Sequence, residues 1–127
     1  MSIDILQEKI RKSKNPVVLD LSFLPEHVPA HIRGDLDESG ACIAYCRELL
    51  TALKGAVPAV RLSFGQFAMM GEQGLRGLSE LLTLAREHYY VILDCAEVLS
   101  PWAADRAAKT FLSSNGEFSC DALVVSP

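Results

Sequence analysis

Four short runs rich in strand-forming residues recur along the chain with helical patterns between them, and this recurrence restricts the fold more than any other feature. The runs are Val17 to Ser22, Val57 to Leu62, Tyr90 to Cys95 and Asp121 to Ser126, and their starts lie 40, 33 and 31 residues apart. Runs of Val, Ile and Leu without strict polar alternation are the habit of strands covered on both faces, as in parallel sheets. Parallel neighbours need a crossover of about a dozen residues or more, and each gap here holds a helix of that size. The pattern predicts a parallel α/β protein.

The helical patterns can be placed one by one. Ile3, Leu6 and Ile10 predict an amphipathic helix from Ser2 to Lys14, capped by Ser2 and stopped at Asn15-Pro16. Pro25, Pro29 and Gly34 predict a loop over 23–36. Asp37 then opens a helix whose inner face is Ile43, Cys46, Leu50 and Leu53, closed by Lys54-Gly55. A helix over 72–87 presents Leu75, Leu78, Leu81, Leu82 and Ala85, and Pro101 suits the first turn of another that runs to Leu112.

At 127 residues the chain is one domain, 1–127. Four parallel strands with their helices are half of a (β/α)₈ barrel, whose full length is about 250 residues, or a small doubly wound sheet; length favours the half-barrel. In both architectures the working residues lie at the carboxyl edge of the strands. That places Ser22, Arg61 to Ser63, Asp94 to Leu99, and Ser126-Pro127 at the site.

Composition removes several classes of function. Twelve basic residues against sixteen acidic ones give a net charge of −4, with no basic cluster for nucleic acid or an anionic membrane surface. No apolar run approaches the roughly 20 residues that span a bilayer. The first fifteen residues mix charge with apolar positions, unlike a signal peptide, so the expected location is cytoplasmic. Cys42, Cys46, Cys95 and Cys120 form no Cys-x-x-Cys pair and read as buried free thiols. His27, His31 and His88 lack metal-ligand spacing, so no metal is expected.

In order, the phrases LQEKIRKSKNPVVLDLS, LPEHV, VPAVRLSFGQF, GLRGLSELL, YVILDCAEV and DALVVSP resemble orotidine 5′-monophosphate decarboxylase in its bacterial, longer-chain branch. The resemblance covers the amino-terminal half of that family's barrel. It implies a (β/α)₈ scaffold, pyrimidine biosynthesis, a cofactor-free carboxy-lyase and a charged Lys-Asp-Lys-Asp network. In that chemistry a lysine ammonium donates the proton that replaces the carboxylate, while fixed aspartates hold it.

Carried over by position, the resemblance puts Ser22 where the family has a ribose-binding aspartate, and Arg61 where it has a lysine. The signature Asp-x-Lys-x-x-Asp becomes Asp94-Cys95-Ala96-Glu97-Val98-Leu99. Asp94 is kept, Ala96 replaces the proton donor and Leu99 the last aspartate. Asp94 and Arg61 are thus the candidate catalytic positions, Ser22 and Ser126 the candidate substrate-binding ones, and Ala96 and Leu99 the degenerate ones. A positioned general acid contributes typically about 10²–10⁴-fold, so the expectation is a pseudoenzyme. Lys109 falls in a helix after the third strand and reads as a solvated surface residue.

Plainer readings accompany these. Asp94 caps a loop, pairs with Arg61, or faces a pocket. Phe64, Phe67, Met69 and Met70 either pack beneath the loop after the second strand or form a contact surface. Ser113 to Gly116 reads as a connecting turn. A four-stranded sheet with two open edges invites covering, so a homodimer or a complementary half-barrel chain is expected; the resemblance, in which the last signature aspartate reaches across to a neighbouring copy's site, implies that Leu99 lies at an apolar contact. Three functions follow: an inactive decarboxylase relative acting through self-association or nucleotide binding; part of an active decarboxylase completed by other residues, suggested by the stop at Pro127; or a small nucleotide- or phosphate-binding domain. A pyrimidine nucleotide is the candidate ligand, and no cofactor is expected.

Overall fold

Helix and strand alternate through the computed structural model, which describes residues 2–126; Pro127, a carboxyl-edge candidate, lies outside them. The elements are α1 (Ser2–Ser13), β1 (Val18–Asp20), a 3₁₀ turn (Pro25–His27), α2 (Ala30–Arg33), α3 (Glu38–Ala52) and β2 (Ala59–Ser63). They continue with α4 (Phe64–Ala68), α5 (Gly71–Arg86), β3 (Tyr90–Asp94), a second 3₁₀ turn (Pro101–Ala103), α6 (Ala104–Phe111) and β4 (Ala122–Val124). The four strands form one parallel sheet in the order β1-β2-β3-β4, so each pairs with its neighbours in sequence. The architecture is the expected one.

Alternation along the strands sorts the sheet into two faces. Val60 and Leu62 of β2 and Val91 and Leu93 of β3 are fully buried in the main core. The helices fill that same core with Cys46 and Leu50 of α3 and with Leu78, Leu81, Leu82 and Ala85 of α5. Burying one such Leu or Val contributes about 1.5–3 kcal/mol, which outweighs any propensity term in these helices. The opposite face carries Asp20, Arg61, Ser63, Ile92 and Asp94, each at least partly open to solvent. It corresponds to the interior of a closed barrel.

Local chemistry sets the element ends. Asp37 caps α3, its carboxylate accepting from the Gly40 N–H at 2.8 Å. The Ser63 hydroxyl accepts from the Gln66 N–H at 3.2 Å and starts α4 directly at the end of β2. A Cβ on Gly74 would stand 2.1 Å from the Phe67 carbonyl oxygen, so α5 approaches α4 this closely only with glycine there.

Several boundaries differ from the sequence reading. β1 ends at Asp20 rather than Ser22, because the Asp20 carboxylate accepts from the Ser22 N–H at 2.9 Å and turns the chain. Residues 23–36 are not plain loop: Pro25 opens the 3₁₀ turn and Pro29 stands at the start of α2. The short α4 has no counterpart in the periodicity, and the segment from Pro101 is a 3₁₀ turn followed by α6 rather than one helix. Ser2 lies inside α1; its hydroxyl donates to the Asp121 carbonyl at 3.0 Å and sits 2.6 Å from the Tyr90 hydroxyl. α1 buries no residue completely.

Candidate functional site

The register places three charged side chains on one face at the carboxyl edge. Asp20 ends β1 and is the direct neighbour of Arg61 on β2, while Asp94 ends β3 two positions beyond Arg61's own neighbour, Ile92. Arg61 Nη1 donates to Asp20 Oδ1 at 3.0 Å, to Asp20 Oδ2 at 3.1 Å and to Ser22 Oγ at 3.0 Å. Arg61 Nη2 donates to Asp94 Oδ2. Asp94 Oδ1 accepts from the Ala96 N–H at 2.9 Å, so this carboxylate both pairs with Arg61 and caps the loop after β3. All three plain readings therefore hold at once, since it also faces a cleft.

The result is a carboxylate–guanidinium–carboxylate bridge across three strands. Burial alone would push Asp20 up, but the N–H and hydroxyl of Ser22, together with Arg61, hold its carboxyl below the ordinary 3.8. Burial likewise pulls Arg61 down, and the two aspartates more than offset it. Both terminal nitrogens of Arg61 are engaged by protein groups.

Above this bridge lies an open cleft of about 800 Å³. Ser22, Arg61, Ser63, Asp94 and Glu97 line its floor and one side, and Phe23, Leu24, Gln66, Met69 and Met70 supply much of the rest. Gln66 donates to the Phe23 carbonyl at 3.2 Å and so ties α4 to the loop after β1. Glu97 folds over the start of α4: a Cβ on Gly65 would stand 2.9 Å from its Oε2. Among the described residues no lysine lines the cleft, and Lys109 is exposed on α6.

The structure brings together Ser22, Arg61 and Asp94 and leaves Ser126 elsewhere. Ser126 lines a separate apolar groove of about 340 Å³ beside β4, with Leu99, Ala104, Ala107, Leu112 and Leu123. Leu99 packs partly against the core there, and Ala96, between Asp94 and Glu97, gives only its N–H to the bridge. Sequence reasoning missed Asp20. The signal was present: Leu19 and Leu21 point into the core, so Asp20 and Ser22 share the opposite face with Arg61.

The remaining candidates also find places. Phe64 stacks edge-on with Phe111 and Phe118, and Phe67 is fully buried, whereas Met69 is exposed at the cleft mouth. Packing claims the phenylalanines, Met69 belongs to the cleft, and Met70 both lines the cleft and packs against the core. Ser113 to Gly116 forms a turn closed by the Gly116 N–H on the Ser113 carbonyl at 3.4 Å. All four cysteines are free thiols; burial pushes Cys46 and Cys95 up to about 12 and Cys120 up to about 11. Among the described residues no three His, Cys, Asp or Glu side chains are grouped to hold a metal ion. No helix among them is long and apolar enough to cross a membrane.

A sequential parallel sheet, helices over one face, a charged bridge at the carboxyl edge and, among the described residues, two unpaired sheet edges define an α/β protein built as part of a (β/α)₈ barrel. Comparison with solved structures gives that class its particular form. A Toxoplasma gondii protein assigned as an orotidine monophosphate decarboxylase superposes with a TM-score of 0.75 at 15% identity, over 96% of this chain and 39% of that one. The orotidine monophosphate decarboxylase of Leishmania donovani superposes with a TM-score of 0.58 at 19% identity, over 91% of this chain and 42% of that one. The chain thus spans about two fifths of the length of these neighbours and has their fold. No protein-family model matches the sequence, and no curated protein matches it.

Proposed function

We propose that this chain is a decarboxylase-like half-barrel in which the proton-transfer chemistry is absent, and that it acts by binding a small molecule at the carboxyl-edge cleft and by associating through its open sheet. The observation that carries the reading is the missing ammonium. Where decarboxylation of orotidine monophosphate calls for a proton-donating lysine, the loop after β3 offers Ala96, and no lysine among the described residues lines the cleft. Arg61 is no substitute, since a guanidinium keeps its proton under all ordinary conditions and this one is tied to two carboxylates. Purified protein incubated with orotidine monophosphate, followed by the ultraviolet change on loss of the carboxylate, is expected to show no turnover above the uncatalysed rate. Measurable turnover that disappears with Arg61→Met would overturn the reading.

Association rests on the edges of β1 and β4, unpaired among the described residues, and on exposed apolar residues beside them, Val17, Val18 and Val125. A second copy related by a two-fold axis along the barrel would pair β4 of each chain with β1 of the other and close eight parallel strands. Sedimentation should give a dimer, and Val18→Lys, which puts a charge on the inner face at the edge, should give a monomer with unchanged circular dichroism. The length of the structural neighbours favours a second reading, in which further residues or another chain complete the barrel. Mixing with a complementary carboxyl-terminal half separates the two, because only the second reading predicts a stoichiometric complex with recovered turnover.

A further inference from the structure

The fold likeness by itself would put a pyrimidine nucleotide in the cleft, but the charge of the walls favours another occupant. A phosphate monoester carries close to two negative charges and is held by free Arg, Lys or backbone N–H groups. Among the described residues, Arg61 and His27 are the only basic side chains in the cleft walls. Arg61 directs both terminal nitrogens at Asp20 and Asp94, and His27 Nδ1 faces the Leu24 N–H at 3.4 Å as an acceptor. On the other side of the balance, Glu38 and Glu97 also line the cleft, and neither has an ion-pair or hydrogen-bond partner among the described residues. With Asp94 set against Arg61, Glu38 and Glu97 leave the cleft with an excess of acceptor oxygens and negative charge over donors. Its other walls are apolar and adaptable, from Phe23, Met69 and Met70.

We infer that the cleft binds a small organic cation, an ammonium or amidinium group on a compact apolar body, and rejects phosphate esters. The inference rests on the cleft being a ligand site, as proposed above. The cationic head would donate N–H bonds to the carboxylates of Glu38 and Glu97. The apolar body would lie along Phe23 and the methionines. Asp94, already neutralised by Arg61, would keep its structural role and add little attraction.

Three probes with one phenyl body and different heads isolate the charge: benzylamine, benzyl alcohol and phenyl phosphate. Each is titrated into the full chain at physiological salt while the backbone amides of Ser22, Gln66 and Ala96 are followed by nuclear magnetic resonance. Benzylamine is expected to shift these amides saturably and to bind several-fold more tightly than benzyl alcohol; phenyl phosphate is expected to leave them unmoved. Two exposed ion pairs are together worth about three- to tenfold in affinity, so Glu38→Gln with Glu97→Gln should weaken benzylamine by that factor and leave benzyl alcohol unchanged. Melting of the double variant by circular dichroism checks that it folds. Equal affinity for amine and alcohol, or binding of phenyl phosphate at these amides as tight as that of benzylamine, would overturn the inference while leaving the cleft a ligand site. If none of the three moves these amides, the inference fails together with the ligand-binding part of the proposed function.

Discussion

Replacing Arg61 by Met tests how much the fold leans on its charged bridge. The side chains of Arg61 and Asp94 are 32% and 16% exposed, so their hydrogen bond is a charge-assisted contact largely out of water and worth about 1.5–3 kcal/mol. Asp20 is 53% exposed, and screening reduces that arm to about 0.2–1 kcal/mol. Removing the guanidinium also leaves Asp94 with the Ala96 N–H alone, on the same face as the Asp20 carboxylate. The apolar stem of Met recovers about 1 kcal/mol of burial, so the net cost is about 1–3 kcal/mol. For a chain of this length that is a loss of roughly 3–6 °C in Tm per kcal/mol.

The cost has a pH signature. Asp20 titrates below its ordinary 3.8 in the folded chain, so its contribution is complete above that value and is lost as the pH falls through the folded pKa. Urea unfolding of wild type and Arg61→Met should therefore differ fully at pH 7, and the gap should narrow by the share of Asp20, about 0.2–1 kcal/mol, as the pH falls below 3.8. A variant as stable as wild type at neutral pH, or a difference that persists unchanged in acid, would refute the view that the bridge stabilises the sheet edge.

Further tests follow from the core and the thiols. The fully buried Tyr89 hydroxyl donates to the Leu50 carbonyl at 2.7 Å, an oxygen in the last turn of α3 that has no partner within its own helix. Tyr89→Phe should cost about 1–3 kcal/mol in urea unfolding. A Cβ on Gly77 would stand 2.3 Å from Ile43 Cδ1, so Gly77→Ala should lose about 1–3 kcal/mol to overpacking and regain about 1 from helix propensity. Adding Ile43→Ala should cost less in that background than in wild type, as a double-mutant cycle will show. With Cys46 and Cys95 pushed up to about 12 and Cys120 to about 11, alkylation of these three at about pH 8 should be negligible until denaturant is added.

Much of the fold is legible in the sequence because its strands are buried. Val60, Leu62, Val91 and Leu93 must be apolar to lie under α3 and α5, and such residues stand out at any reading of the chain. Crossover length then dictates parallel pairing. What escapes is governed by single hydrogen bonds. The five residues of α4 are too few for a periodic signal and include a glycine; only Ser63 with Gln66 three positions on marks its start. Of the candidate site, Arg61, Asp94 and Ser22 are found because strand ends are where such folds do their work. Asp20 is passed over because extending β1 to Ser22 moves the carboxyl edge two residues along, and only the turn made by the Asp20 carboxylate shows where the strand stops.

The order β1-β2-β3-β4 has a consequence for how the chain is made. Synthesis proceeds from the amino terminus at about 5–20 residues per second, slow compared with the closure of a local contact. Because every strand lies beside the one translated just before it, each newly exposed segment leaves the ribosome to find its template already standing. In nascent polypeptide of this design each strand after the first pairs with its immediate predecessor, and the newest edge joins that of β1 as a surface open to aggregation until it is covered.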